Sequence, residues 1–275
     1  MKYRWLIAVP CLFAFAPAWA EPVGYRYEIM WGGFHAGDMA ITRDEEGGKA
    51  RTGMVMRTVG LFDRFLRLRF SAESDSRPVP APALLGSDRY ETRFSNRHQE
   101  RLMRVMFGPD GDPQSVSDDV VAVFGPPPED DEPNPPVPPD LRHGTRDPLT
   151  NIALVGRHAS AFLAGGPAVV RTASFDGKRL YDFEIAFQGS TRINIRGQNR
   201  DAIALTMTLR PRAGFKPRFL HLWEGAEYKV HLDPKTLLPI RIQSDSFTAA
   251  VVMNALGPCR VPAEQCTSEL TAQAE

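Results

Sequence analysis

"VGYRYEIMWGGFHAGDMAIT", residues 23–42, places Tyr25, Tyr27, Ile29 and Trp31 on one face and Arg26 and Glu28 on the other. This period of two is the signature of a half-buried strand. Gly32, Gly33 and Gly37 follow and permit a sharp bend into a second strand. A row of rings on the concave side of a curved sheet serves one of two purposes. In a filled barrel Tyr25, Tyr27, Ile29 and Trp31 are core, and Trp31 is expected to be largely buried. In a half-barrel they line a pocket for a lipid-like molecule. The sequence leaves both open.

The same alternation recurs along the chain. "RFLRLRFSAES" sets Phe65, Leu66, Leu68 and Phe70 against Arg67 and Arg69, and "SDRYETRF" sets Tyr90 and Phe94 against Arg89, Glu91 and Arg93. "RLYDFEIAF", "AEYKVHL" and "LLPIRIQS" continue it, and Asp233-Pro234-Lys235-Thr236 between the last two reads as a hairpin turn. "PDGDP", residues 109–113, reads as another. About ten strands fit, each with one wet face, which suits antiparallel sheet. The predicted fold is mainly β: a curved antiparallel sheet forming an open or closed barrel.

One segment departs from period two. "RDPLTNIALVGRHASAFL", residues 146–163, carries Asp147 as N-cap, Pro148 at the first helical position and an apolar helical face interrupted by Gly156. One long helix is predicted, at about 147–163, with a short helical turn at 60–65. The stretch 125–144, "GPPPEDDEPNPPVPPDLRHG", is crowded with proline and acid and is expected to be an exposed, extended connector. Two domains joined there is one reading. A single β-rich domain over 21–275 is favoured, because strands lie on both sides.

Residues 1–20, "MKYRWLIAVPCLFAFAPAWA", combine Lys2 and Arg4, a short apolar run and a small-x-small site at Ala18-Trp19-Ala20. They read as a secretory signal peptide cleaved after Ala20, with a periplasmic destination. The apolar run falls short of the roughly 20 residues a membrane span requires, and no other stretch approaches that length. The chain has 33 basic and 33 acidic residues, a balance that gives no reason to expect nucleic acid as a partner. Export also bears on Cys259 and Cys266 in "CRVPAEQC": in an oxidising compartment such a close pair is expected to form a disulfide.

Familiar catalytic patterns do not occur. The six histidines show neither HxH nor HExxH spacing, and GxSxG, P-loop and GxGxxG motifs are absent. "EDDE", residues 129–132, lacks the order of a calcium loop. The sequence therefore implies no catalytic residue, no metal and no cofactor. Arg64, Arg67, Arg69, Arg89, Arg93, Arg97, Arg101 and Arg104 cluster on or beside predicted strands. They form either a stripe for anionic headgroups or a solvated face balanced by Glu73, Asp75 and Glu91.

The chain resembles an exported bacterial family, domain of unknown function 3108. The resemblance rests on the order of several motifs: "YRYEIMWGGFHAGDMAI", "TVGLFDRFLRLRF", Asp147-Pro148-Leu149 after a proline-rich connector, "FDGKRLYDFEI", "PRAGFKP" around Gly214, and the closing hairpin from Asp233 to Ile242. It spans nearly all of residues 24–256. One departure is that many members carry a cysteine shortly before the P-x-A-G segment, where this chain reads "AIALTMTLRP". The resemblance implies a β-rich periplasmic envelope protein and supplies no catalytic residues.

The expected function is non-enzymatic binding of a lipid-like or envelope component, or envelope maintenance. The expected partner is a hydrophobic or lipid-like ligand; the identity of any protein partner is left open. The competing readings are an envelope-acting hydrolase whose site is assembled only in space, and a scaffold in an envelope complex.

Overall fold

The chain alternates strand and turn with three α-helical interruptions and two short 3₁₀ turns among the described residues. The computed structural model describes residues 23–80, 84–126, 133–246, 249–260, 262–263 and 265–266. The proposed signal peptide and the acidic run at 129–132 therefore lie outside the described residues. The first half comprises β1 (Val23–Trp31), β2 (Phe34–Glu46), β3 (Lys49–Thr58), α1 (Gly60–Leu66), β4 (Arg69–Pro78), β5 (Leu85–Ser95), β6 (Gln99–Phe107) and β7 (Pro113–Val123). The second half comprises α2 (Pro148–Leu163), β8 (Val169–Phe175), β9 (Leu180–Ile195), β10 (Gln198–Ala213), α3 (Leu220–Trp223), β11 (Glu227–Leu232), β12 (Pro239–Ser244) and β13 (Val251–Cys259).

All of these strands join one 13-stranded sheet in the order β7-β6-β5-β4-β3-β2-β1-β13-β12-β11-β10-β9-β8. Every neighbouring pair is antiparallel. The first and last strands meet at the centre, and β7 and β8 are left as edges. The sheet curls without closing: Phe175 and Leu180 from one end pack in the same buried cluster as Tyr90, Met103 and Val105 from the other. Lys178, in the β8–β9 turn, reaches Asp118 on edge strand β7 at 2.9 Å. At Gly177, φ is +92° and a Cβ would run into Met103, so the close approach of the two ends depends on glycine there.

α2 fills part of the concave side. Asp147 caps it, its Oδ1 accepting from the Leu149 and Thr150 amides at 2.9 Å each. Leu149, Ala153, Leu154 and Ala159 bury against the sheet. Gly156, which weakens the helical apolar face in sequence, has a packing reason: a Cβ there would come within 3.0 Å of Leu237 Cβ.

β1 seats its rings in the sheet's largest buried cluster, with Met39, Ile41, Leu238, Ile240 and Met253. Tyr27 is fully buried and its hydroxyl donates to the Pro239 carbonyl at 2.7 Å. The Tyr25 hydroxyl donates to Asp233 at 2.9 Å. Asp233 also caps the predicted turn, accepting from the Lys235 and Thr236 amides at 2.7 and 3.0 Å. Cys259 and Cys266 are joined, Cα atoms 6.1 Å apart, and lie buried with Ala40 and Ala263.

Three expectations need correction. Trp31 is 37% exposed, its ring 5.4 Å from that of Phe62. Alternation assigns a face but not a depth, and Trp31 ends its strand, beyond the last layer of the core. Phe65 and Leu66 of the predicted Phe65–Phe70 strand belong instead to the helix Gly60–Leu66, Arg67 follows in the left-handed region at φ 47°, and the strand starts only at Arg69. Leu61/Phe65 and Phe62/Leu66 satisfy helical spacing as well. Finally, the connector is not wholly exposed. Val137 is 4% exposed, a 3₁₀ turn covers Pro139–Arg142, and Asn134 donates to the Gly214 carbonyl at 2.7 Å.

Candidate ligand pocket

Between α2 and strands β9–β12 the curled sheet leaves a cavity of about 340 Å³. Antiparallel alternation points Tyr181 and Phe183 of β9, Met207 and Leu209 of β10, and Tyr228 and Val230 of β11 into it. Ile152 and Val155 close it from the helix, one turn apart on the same face. Phe215 and Trp223, from the β10–β11 connection, form its mouth. The rings there are coupled: Tyr181 lies 5.3 Å from Phe183 and 6.3 Å from Phe215, and Phe215 lies 6.0 Å from Trp223. Its volume lies in the roughly 300–1,000 Å³ range of small-molecule sites.

Among the described residues only Asn151 and Arg179 bring an amide or a charge to the lining. Asn151 is engaged, accepting from Thr172 at 2.6 Å and donating to the Ala173 carbonyl at 3.3 Å. Arg179 is the one charged side chain among the described lining residues. Its Nε and Nη2 bond Asp176 at 2.9 and 2.8 Å. Its guanidinium lies 5.2 Å from the centre of the Trp223 ring and 5.9 Å from that of Phe215. Burial works against its charge, but the Asp176 carboxylate more than offsets this and holds its pKa above the ordinary value. Burial, together with the Asp176 charge, pushes the Tyr181 phenol well up, so it stays neutral. The site thus keeps a fixed cation beside an apolar hollow.

A second cavity of about 320 Å³ shares Pro148, Arg179 and Tyr181 with the first and extends to Met54, Phe70 and Tyr90. Arg179 therefore stands at the junction of two hollows. Lys178 and Arg101 beside it share Asp118, at 2.9 and 2.6 Å. Among the described residues no Ser, Thr, Cys, His, Asp or Glu lines the first cavity. Among the described residues no group of three or more His, Cys, Asp or Glu is placed to hold a metal.

The family described as protein of unknown function, DUF3108, matches residues 26–253. The chain belongs to the DUF3108 family. It is similar in structure to the crystallised β-barrel-like protein of domain of unknown function DUF1849 from Brucella abortus. The identity is 10%, the match covers 86% of this chain and 96% of that one, and the TM-score is 0.49. No curated protein matches this chain.

The four candidate side chains of β1 do not line the apolar cavity. Tyr25 and Tyr27 are packed core, Ile29 packs against that core, and Trp31 stands at the rim. The cavity gathers other motifs of the DUF3108 resemblance instead. Pro148 follows the helix cap, Arg179, Tyr181 and Phe183 belong to "FDGKRLYDFEI", and Phe215 belongs to "PRAGFKP". The order of those motifs was visible in the sequence; their convergence on one hollow was not.

The arginines resolve largely into ion pairs. Arg89 meets Asp75 at 3.0 Å, Arg104 meets Glu91 at 2.7 Å and Arg93 meets Glu100 at 2.5 Å. Arg101 pairs with Asp118 and Arg69 with Asp63, each at 2.6 Å. Four of these five pairs join neighbouring strands, where unlike charges lie within cross-strand reach, and the fifth ties β4 to α1.

Proposed function

We propose that this DUF3108 chain is an exported, non-enzymatic binding protein for one amphipathic, lipid-like molecule. The apolar part occupies the hollow between α2 and β9–β12, and an anionic end meets Arg179. The carrying observation is the 340 Å³ apolar cavity with a single facing cation stacked over Trp223. A lining without a nucleophile or general base favours holding over converting a ligand. The apolar run and small-x-small site of residues 1–20 support export to the periplasm.

Titration with dansyl-labelled undecanoic acid tests the reading. The fluorophore should brighten and shift to the blue on saturable binding. Ile152→Trp, which fills the hollow from the helix, is expected to weaken binding at least about tenfold, the cost of losing roughly 1.4 kcal/mol. Arg179→Gln should weaken the acid but leave the corresponding uncharged alcohol nearly unchanged. Equal binding of the acid by wild type and Ile152→Trp would remove the ligand from this cavity.

A further inference from the structure

Antiparallel pairing puts the β1–β2, β3–β4, β5–β6, β8–β9 and β10–β11 connections at one end of the sheet. The mouth of the candidate pocket, with Arg179, Phe215 and Trp223, opens among the last two. The β1–β2 and β3–β4 connections form a knob at that same end. The Trp31 ring rests on Phe62 of α1, and the Val59 amide donates to the Ala36 carbonyl at 3.1 Å, so the two turns are one unit.

This knob turns its apolar side chains outward. Phe34 is 72% exposed, Leu61 64%, Phe65 63% and Leu66 46%. Such a patch of bulky groups on protruding turns is costly to leave in water. Phe219 and Leu220, on the β10–β11 connection beside the pocket mouth, are exposed as well.

The charges beside the patch select its partner. Among the arginines clustered in sequence, Arg64, Arg67 and Arg97 are exposed. No ion pair involves them among the described residues, whereas Arg69, Arg89, Arg93, Arg101 and Arg104 are all paired. All three lie on the β3–β4 or β5–β6 connection, at this end. Asp63, the acid within α1, is already bonded to Arg69 and Thr58. Among the described residues the exposed acids at this end, Glu224, Glu227 and Asp245, sit at connections bounding β10–β13 and leave the α1 side cationic. A second copy of the chain would bring the same cations against themselves. An anionic bilayer satisfies both halves of the surface: rings and leucines enter the headgroup boundary, and arginines meet lipid phosphates.

We infer that the α1 knob docks the chain onto an anionic phospholipid surface, with the pocket mouth turned toward the bilayer. This rests on the lipid-binding reading for its purpose, but not for its test.

Purified full chain would be co-sedimented with vesicles of phosphatidylcholine alone and of phosphatidylcholine with phosphatidylglycerol. The chain is expected to pellet with the anionic vesicles and to be released by salt, because the exposed arginines are screened. Phe65→Ser and Arg64→Glu alter exposed side chains that hold nothing in the fold. Each should lower vesicle binding about tenfold or more, while melting temperature and dansyl-undecanoate binding stay unchanged. Ile152→Trp should still pellet like wild type, so a failed pocket and a failed docking surface give different patterns. Equal pelleting with both kinds of vesicle, or variants that pellet like wild type, would overturn the inference. So would a wild-type dimer that Phe65→Ser dissociates in the absence of vesicle binding, which would give the patch to a second copy.

Discussion

Asp147→Ala is expected to cost about 3–5 kcal/mol of stability, measured by urea unfolding with an unchanged m-value. Asp147 is fully buried. Its Oδ1 takes the two amides that open α2, and its Oδ2 accepts from Ser74, Ser87 and Thr150 at 2.9, 2.5 and 2.6 Å. Ser74 belongs to β4 and Ser87 to β5. One carboxylate thus starts the helix and fastens it to the sheet. Alanine would leave two helix amides and three hydroxyls without this acceptor in a site water does not reach. Asparagine retains an acceptor for the helix amides and should cost only about 1–2 kcal/mol. A loss below about 1 kcal/mol for alanine would mean that α2 is anchored by its apolar face alone.

The same carboxyl has a pH signature. Burial pushes its pKa above the ordinary value, against the pull of its hydroxyl and amide donors. The folded chain therefore keeps the proton longer than the unfolded chain as pH rises. Its contribution is fully present below the unfolded value near 3.9 and is lost as pH climbs through the raised folded value. The stability difference between wild type and Asp147→Asn should shift in the asparagine variant's favour across that window.

Tyr27→Ala is expected to cost about 3–5 kcal/mol, and Trp31→Ala only about 1 kcal/mol. Both rings lie on the same strand and the same alternating face, but Tyr27 is fully enclosed and Trp31 is 37% exposed. Tyr27→Phe isolates the hydrogen bond to Pro239 and should cost about 1–2 kcal/mol. Thermal melts of the three variants give the ranking directly. A Trp31→Ala loss as large as that of Tyr27→Ala would mean that the rim ring is packed from a side left open here.

Much of the architecture could be read from local chemistry. Asp147-Pro148 starts α2 because a cap and a fixed φ act within one turn, and Asp233-Pro234 makes its hairpin for the same reason. The second role of Asp147 could not be read, since its Ser87 and Ser74 partners lie 60 and 73 residues away. Helix and strand competed only at Phe65 and Leu66, which stand four residues after Leu61 and Phe62 and also open the apolar run to Phe70. The pocket was hidden for a related reason. Period two places Tyr27 and Tyr181 alike on inner faces, but only the packing of α2 against the curl decides which inner residues meet neighbours and which meet a hollow. Arg179 carries no sign of its role in a stretch already rich in charge; that role appears when Trp223, 44 residues along the chain, comes to lie under its guanidinium.

Native mass spectrometry of the chain purified without detergent, with organic extraction of the same sample, tests the binding claim most directly. Wild type is expected to carry one equivalent of an acidic amphiphile, and Ile152→Trp, folded and equally stable, is expected to carry none. Wild type that is free of any such molecule and takes up no dansyl-undecanoate, or an Ile152→Trp variant that keeps the same cargo, would contradict the account.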